Sequence, residues 1–218
     1  MNGFSPYGSA PQPLQTPHYA QLHPSFRHNR FLIRRKILTL LGAKMHVYDD
    51  AKNVVLFAKM KAFKLKEDFR IFADEAMTTP LLAIRARKIL DIASPYDVYD
   101  VSTGGEYHIG VLKRKGLKSI IRDEWEVWNT QDQPIGLIQE EGSFLAILRR
   151  FVEILSILVP QKYNFSVNGQ PVGFMKQNFN PFVMKLTADF SQDPMGYFDR
   201  RLAAAAAVLL CIIEGKQK

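Results

Sequence analysis

The 218-residue chain carries 29 lysines and arginines against 21 aspartates and glutamates, for a formal net charge of +8, and 47% of it is hydrophobic. That apolar share suits one domain of generous size with a sizeable core, and the basic excess points to anionic partners such as lipid head groups, nucleic acid or an acidic protein. The single cysteine, Cys211, excludes an internal disulfide and fits a reducing compartment.

Residues 1–27, "MNGFSPYGSAPQPLQTPHYAQLHPSFR", hold five prolines and little that could build a core, so they read as a disordered, polyproline-like arm ahead of a folded domain at 28–218. No charged stretch followed by an apolar one opens the sequence, so no secretory signal is expected. His18, His23 and His28 recur every five residues without acidic or cysteine companions, which makes a poor metal site.

From "NRFLIRRKIL" onward the chain repeats itself. Val47-Tyr48-Asp49 aligns with Val98-Tyr99-Asp100, and Lys59-Met60-Lys61 with Lys113-Arg114-Lys115. Ile71 aligns with Val127, and Thr79-Pro80 with Gln133-Pro134. A third, shorter copy runs through "YNFSVNGQPVGFMKQNFNPFVMKLTADF". Each copy spans about fifty residues of short strands separated by turn residues. Alternation is clear in "EWEVW", where Trp125 and Val127 share a face opposite Glu124 and Glu126, and in "LLAIRAR", where Leu82 and Ile84 oppose Arg85 and Arg87. Repeated meanders with one apolar face close most economically into an antiparallel barrel, because closure removes the sheet edges.

Two segments depart from strand periodicity. "GSFLAILRRFVEILSILVPQ" places Ala146, Arg149, Arg150, Glu153 and Ser156 on one narrow stripe of an otherwise apolar helix that ends at Pro160. "DRRLAAAAAVLLCIIEG" is apolar on every side from 202 to 213, a run of twelve residues where a bilayer span needs roughly 20. A helix greasy all round and too short to span is expected to thread the barrel, its alanines letting strands approach closely. The fold class expected is therefore mainly β: a closed antiparallel barrel of about twelve strands around a buried hydrophobic C-terminal helix.

The "YDVYD…GVLKRKGLKSIIRDEWEV…QPIGLIQE" core, "QNFNPFVMKLTADFS" and the terminal helix resemble tubby-like, LURP-one-related and phospholipid-scramblase-like proteins of bacterial type, from about residue 28 to the end. The resemblance implies a twelve-stranded barrel around its C-terminal helix, and association with phosphoinositides or membranes. The chain departs from the scramblase pattern in lacking a cysteine cluster. Its acidic residues before the last helix, Asp189, Asp193 and Asp199, lack the spacing of a good calcium loop.

No phosphate-binding glycine loop, HExxH, nucleophile elbow or cysteine–histidine pair is present, so neither catalysis nor a cofactor is expected. Asp123, Glu124 and Glu126 read as charge balance across strands. The basic clusters are the better candidates: Lys59, Lys61, Lys64 and Lys66; Lys113, Arg114, Lys115, Lys118 and Arg122; and Arg34, Arg35 and Lys36. Of these, Lys59, Lys61, Lys64, Lys113, Arg114, Lys115 and Lys118 form the expected anion- or lipid-binding set. Phe144, Leu148, Arg149, Arg150, Phe151 and Leu155 form a candidate membrane-interface helix, the alternative being a helix that caps the barrel. The function expected is a cytoplasmic, peripheral membrane-binding barrel. A protein-binding scaffold using the proline-rich arm is the alternative, and nucleic acid comes third because the basic clusters lack interleaved aromatics.

Overall fold

The computed structural model of the chain describes residues 22–36, 42–61, 68–88, 94–115, 124–141, 161–178 and 183–214. Among them the chain forms β1 (Arg30–Lys36), β2 (Gly42–Tyr48), β3 (Val54–Lys61), β4 (Phe69–Phe72), β5 (Pro80–Ala86) and β6 (Tyr96–Asp100). Then follow β7 (Tyr107–Arg114), β8 (Glu124–Trp128), β9 (Pro134–Glu140), β10 (Lys162–Val167), β11 (Gln170–Asn178), β12 (Val183–Asp189) and the helix α1 (Arg200–Glu214). Each strand pairs antiparallel with its chain neighbours, and β1 pairs with β12 to close a twelve-stranded barrel.

The internal repeat is written into the register. The β2–β3 ladder slips by one residue between Val47 and Tyr48, and β6–β7 slips between Val98 and Tyr99, the residues that align in sequence. A second pair of bulges falls between Ile71 and Phe72 and between Val127 and Trp128, again at aligned positions. The third copy bulges between Phe165 and Ser166. Conserving a bulge across copies conserves the local bend a small barrel needs to close. The third copy brings only three strands, β10 to β12, and β1 takes the place of its fourth.

Two glycines show how tightly the copies are drawn in. A Cβ on Gly110, at φ +151°, would lie 2.8 Å from the carbonyl oxygen of Trp128, and one on Gly173 would lie 2.4 Å from that of Asp189. Only a residue without a side chain lets the adjoining strand approach so closely.

The helix α1 fills the barrel. Residues 202–213 are all at most 4% exposed, on every face, against the inward residues of the strands, among them Ile33, Met45, Leu56, Ile71, Ile84 and Val98. In β8, Trp125 and Val127 turn inward and Glu124 and Glu126 outward, as alternation requires. In β5 four consecutive residues, Leu81, Leu82, Ala83 and Ile84, are buried, so alternation becomes visible only where Arg85 emerges. No described helix is long and apolar enough to cross a membrane.

The packed chain starts earlier than position 28. Leu22 and Phe26 belong to the core cluster around a single turn of 3-10 helix, Pro24–Phe26. An apolar pair spaced four apart can fold into the mouth of a barrel even in a proline-rich stretch, because Pro24 presets the turn.

Both ends of α1 are fastened by charge. At its N-terminus the Asp199 carboxylate accepts from the Arg201 backbone N–H at 2.8 Å, an N-cap. The buried Arg200 guanidinium donates to the Asp193 carboxylate at 2.9 Å and to the Asp193 and Phe190 carbonyls at 2.7 and 3.2 Å. It also donates to Asn29 Oδ1 at 3.0 Å. At the C-terminus, Arg35 Nη1 donates to the carbonyls of Cys211 and Ile212 at 3.0 and 3.5 Å. Carboxylates at the N-terminus and an arginine at the C-terminus complement the helix dipole. These contacts also set direction: β1 runs alongside α1 from its N-terminus, at Asn29, to its C-terminus, at Arg35.

Candidate anion-binding face

The expected basic clusters do not share one surface. Lys59 lies on β3 and Lys113 on β7, with three strands between them. Within the second cluster, alternation separates Arg114, which faces Trp125 across the core-side row, from Lys113, which faces Glu126.

Lys113 and Lys115 are electrically balanced. Lys115 is paired with Glu124, and its Nζ lies 3.5 Å from Glu126. Hydrogen bonding and charge from Glu124 hold the Lys115 ammonium above the usual lysine range, with burial opposing. Lys113 Nζ stands 4.0 Å from Glu126 and 4.3 Å from the centre of the Trp128 ring. Glu124 and Glu126 thus play the cross-strand balancing role read from sequence, and they leave little field for a ligand. Lys61 ends β3, while Lys64, Lys66, Lys118, Arg122, Asp123 and the whole 144–155 segment lie outside the described residues.

Neighbouring arginines on β5 and beyond are balanced in the same way. Arg85 grips Glu106 through two bonds of 2.7 and 2.8 Å. Arg87 holds both Asp97 and Asp132, at 2.7 and 2.6 Å. The three carboxylates named before the final helix are also engaged. Asp189 lies 3.1 Å from Arg30, Asp193 2.9 Å from Arg200 and Asp199 2.6 Å from Arg201.

Among the described residues, a different face carries charge without compensation. Arg34, Lys44, Lys59, Lys176 and Lys185 stand on the outer side of β1, β2, β3, β11 and β12, five adjacent strands, and none is ion-paired with a described carboxylate. Arg34 sits directly opposite Lys185, and Lys44 directly opposite Lys59. Facing like charges oppose sheet pairing, and an anion laid across them removes that cost. All five lie towards the strand ends that flank the C-terminus of α1. At the other end of the same face Arg30 is held between Asp50 and Asp189, at 3.7 and 3.1 Å.

Arg35 does not belong to this face, although the sequence groups it with Arg34 and Lys36. Period-two alternation turns it inward to the carbonyls of α1. Lys44, Lys176 and Lys185 escape a search for basic runs because each is an isolated lysine. Their signal is different: each stands next to an apolar residue buried in the core, Ala43 and Met45 beside Lys44, Met175 beside Lys176 and Leu186 beside Lys185. A single lysine between inward residues of a strand must point outward.

An antiparallel barrel threaded by its own C-terminal helix, with a basic face uncompensated among the described residues, is the class these features define. Residues 54–211 match the LURP-one-related family, and the chain belongs to that family. No curated protein matches it. Among solved structures it is similar to the X-ray structure of a protein from Arabidopsis thaliana, at 13% identity and a TM-score of 0.48, over 88% of this chain and 97% of that one.

Proposed function

We propose that this chain is a non-enzymatic, cytoplasmic barrel that docks peripherally on anionic phospholipid through the outer face of β11, β12, β1, β2 and β3. The observation that carries the reading is the set Arg34, Lys44, Lys59, Lys176 and Lys185: five cations on adjacent strands with no described carboxylate to neutralise them. Each lysine or arginine near an acidic membrane contributes about 1 kcal/mol, so five together give useful affinity without any deep pocket. The resemblance to lipid-associated barrels supports the same reading. Balance elsewhere on the surface, at Arg85, Arg87, Lys113 and Lys115, gives the barrel a preferred side.

Co-sedimentation with phosphatidylcholine vesicles, with and without phosphatidylglycerol, tests it at two salt concentrations. Binding is expected only to the acidic vesicles and is expected to weaken as salt screens the face. Equal binding to neutral vesicles, or none to acidic ones at low salt, would overturn the reading.

A further inference from the structure

At one border of the basic face, the outer surface of β10 and β11 holds an open groove of about 380 Å³ lined by Lys162, Asn164, Phe174, Lys176 and Gln192, among others. Lys162 and Lys176 are direct cross-strand partners. They occupy the places in the third repeat that Lys44 and Lys59 occupy in the first, three residues from the bulge position on each strand. The two pairs differ in surroundings. Lys162 is positioned by the Glu141 carboxylate at 2.7 Å and rests over the Phe174 ring at 5.5 Å, while Lys176 has no described acidic partner. Gln192, in the turn after β12, and Asn164, on β10, line the same space.

We infer that this groove is a subsite for a phosphate monoester, bracketed by Lys162 and Lys176 and hydrogen-bonded by Asn164 and Gln192. A terminal phosphate enters end-on and offers three strong acceptor oxygens, with close to two negative charges at neutral pH. Four donors from two strands and a turn can share those oxygens, and an ammonium with three N–H groups can serve Glu141 and the ligand at once. A diester carries a substituent on each side, so it cannot present three free oxygens to one groove. Phe174 offers its ring to the carbon that bears the ester. In its membrane form, with phosphatidic acid as the source, the inference rests on the docking reading above; with a soluble source it does not.

The test compares vesicles of matched surface charge containing either phosphatidic acid or phosphatidylglycerol, with glycerol 3-phosphate as soluble probe followed by phosphorus NMR. The native protein is expected to bind phosphatidic acid vesicles several-fold more tightly. Lys176→Met and the charge-neutral Asn164→Ala should each shrink that ratio while leaving the melting temperature unchanged. Binding of glycerol 3-phosphate without binding to either vesicle would support the groove and overturn membrane docking. Equal binding to both vesicles, with no perturbation of the glycerol 3-phosphate signal, would overturn the groove and leave docking intact.

Discussion

Arg35 donates to the carbonyl oxygen of Cys211 across 176 residues of chain, at 3.0 Å, while its neighbour Arg34 points the opposite way, outward over the Tyr48 ring at 5.8 Å. One residue of register converts a surface charge into the C-terminal clamp of the buried helix. The two arginines should therefore separate stability from binding. Arg35→Met leaves helix carbonyls without a partner inside the barrel, at a cost of about 1–3 kcal/mol, visible as a lower melting temperature. Arg34→Met should shift stability by no more than about 0.5 kcal/mol yet weaken binding to acidic vesicles. Similar melting curves for the two variants would contradict the clamp.

The helix core makes its own demand. Ala205 is fully buried, so Ala205→Asp places an unpaired charge among apolar side chains, a cost of several kcal/mol against a typical total of about 5–15 kcal/mol. The variant should be unfolded or insoluble by circular dichroism and gel filtration. A normally melting Ala205→Asp protein would mean that α1 does not thread the barrel.

Cys211 reports on the same core without mutation. Burial pushes its thiol up to about 12, so at pH 8 it is neither ionised nor reachable. A thiol reagent should modify the native protein only at the rate of unfolding and the denatured protein at once. Fast native labelling would place the helix outside the strands.

Charge on the basic face can be weighed against charge elsewhere. Replacing Lys44 and Lys59 together with methionine should lower affinity for acidic vesicles by about 2 kcal/mol, roughly thirtyfold. The same change removes a like-charge opposition, so the free protein should melt no lower than before. The control, Lys113→Met with Lys115→Met, removes the same charge from strands whose carboxylates already balance it, and affinity should stay within a few-fold of native. Equal losses in both variants would make net charge, and not this face, the determinant.

Acid should loosen the N-terminal end of α1 first. Burial tends to raise the Asp100 carboxyl, but hydrogen bonds from Ser102 and Arg201 outweigh it and hold the group below the usual carboxylate range. A depressed folded-state value means stability that is present above the unfolded value, near 4, and lost as pH falls through the lower folded one. Melting temperature should therefore drop between about pH 5 and 3, and Asp100→Asn, less stable at neutral pH, should approach the native curve over that range. A gap that stays constant with pH would remove Asp100 from the account.

Much of the barrel can be read directly from the residues. The aligned copies announce that the same strands recur, and the alanine-rich terminus announces a core too short for a bilayer; that aligned Val47 and Val98 each mark a bulge appears only in the register. What escapes is pairing between distant strands. Nothing near Arg34 in sequence indicates that Lys185 will stand opposite it, and nothing near Lys113 fixes its distance to Glu126, although alternation does put both outside. A binding face depends on which cations remain unpaired, and that is decided by tertiary register. Arg35 shows the same limit at the scale of one residue, because a basic triplet carries no sign of which member turns inward.

The seam between β1 and β12 bears on how the molecule is made. Strands from the start of the domain must wait for partners from its far end, and the helix they wrap follows all of them in the chain. All twelve described strands precede the apolar helix that holds them, and contacts so distant in sequence make for slow closure. A chain cut before α1 should therefore depend on chaperones or aggregate, however sound its individual hairpins.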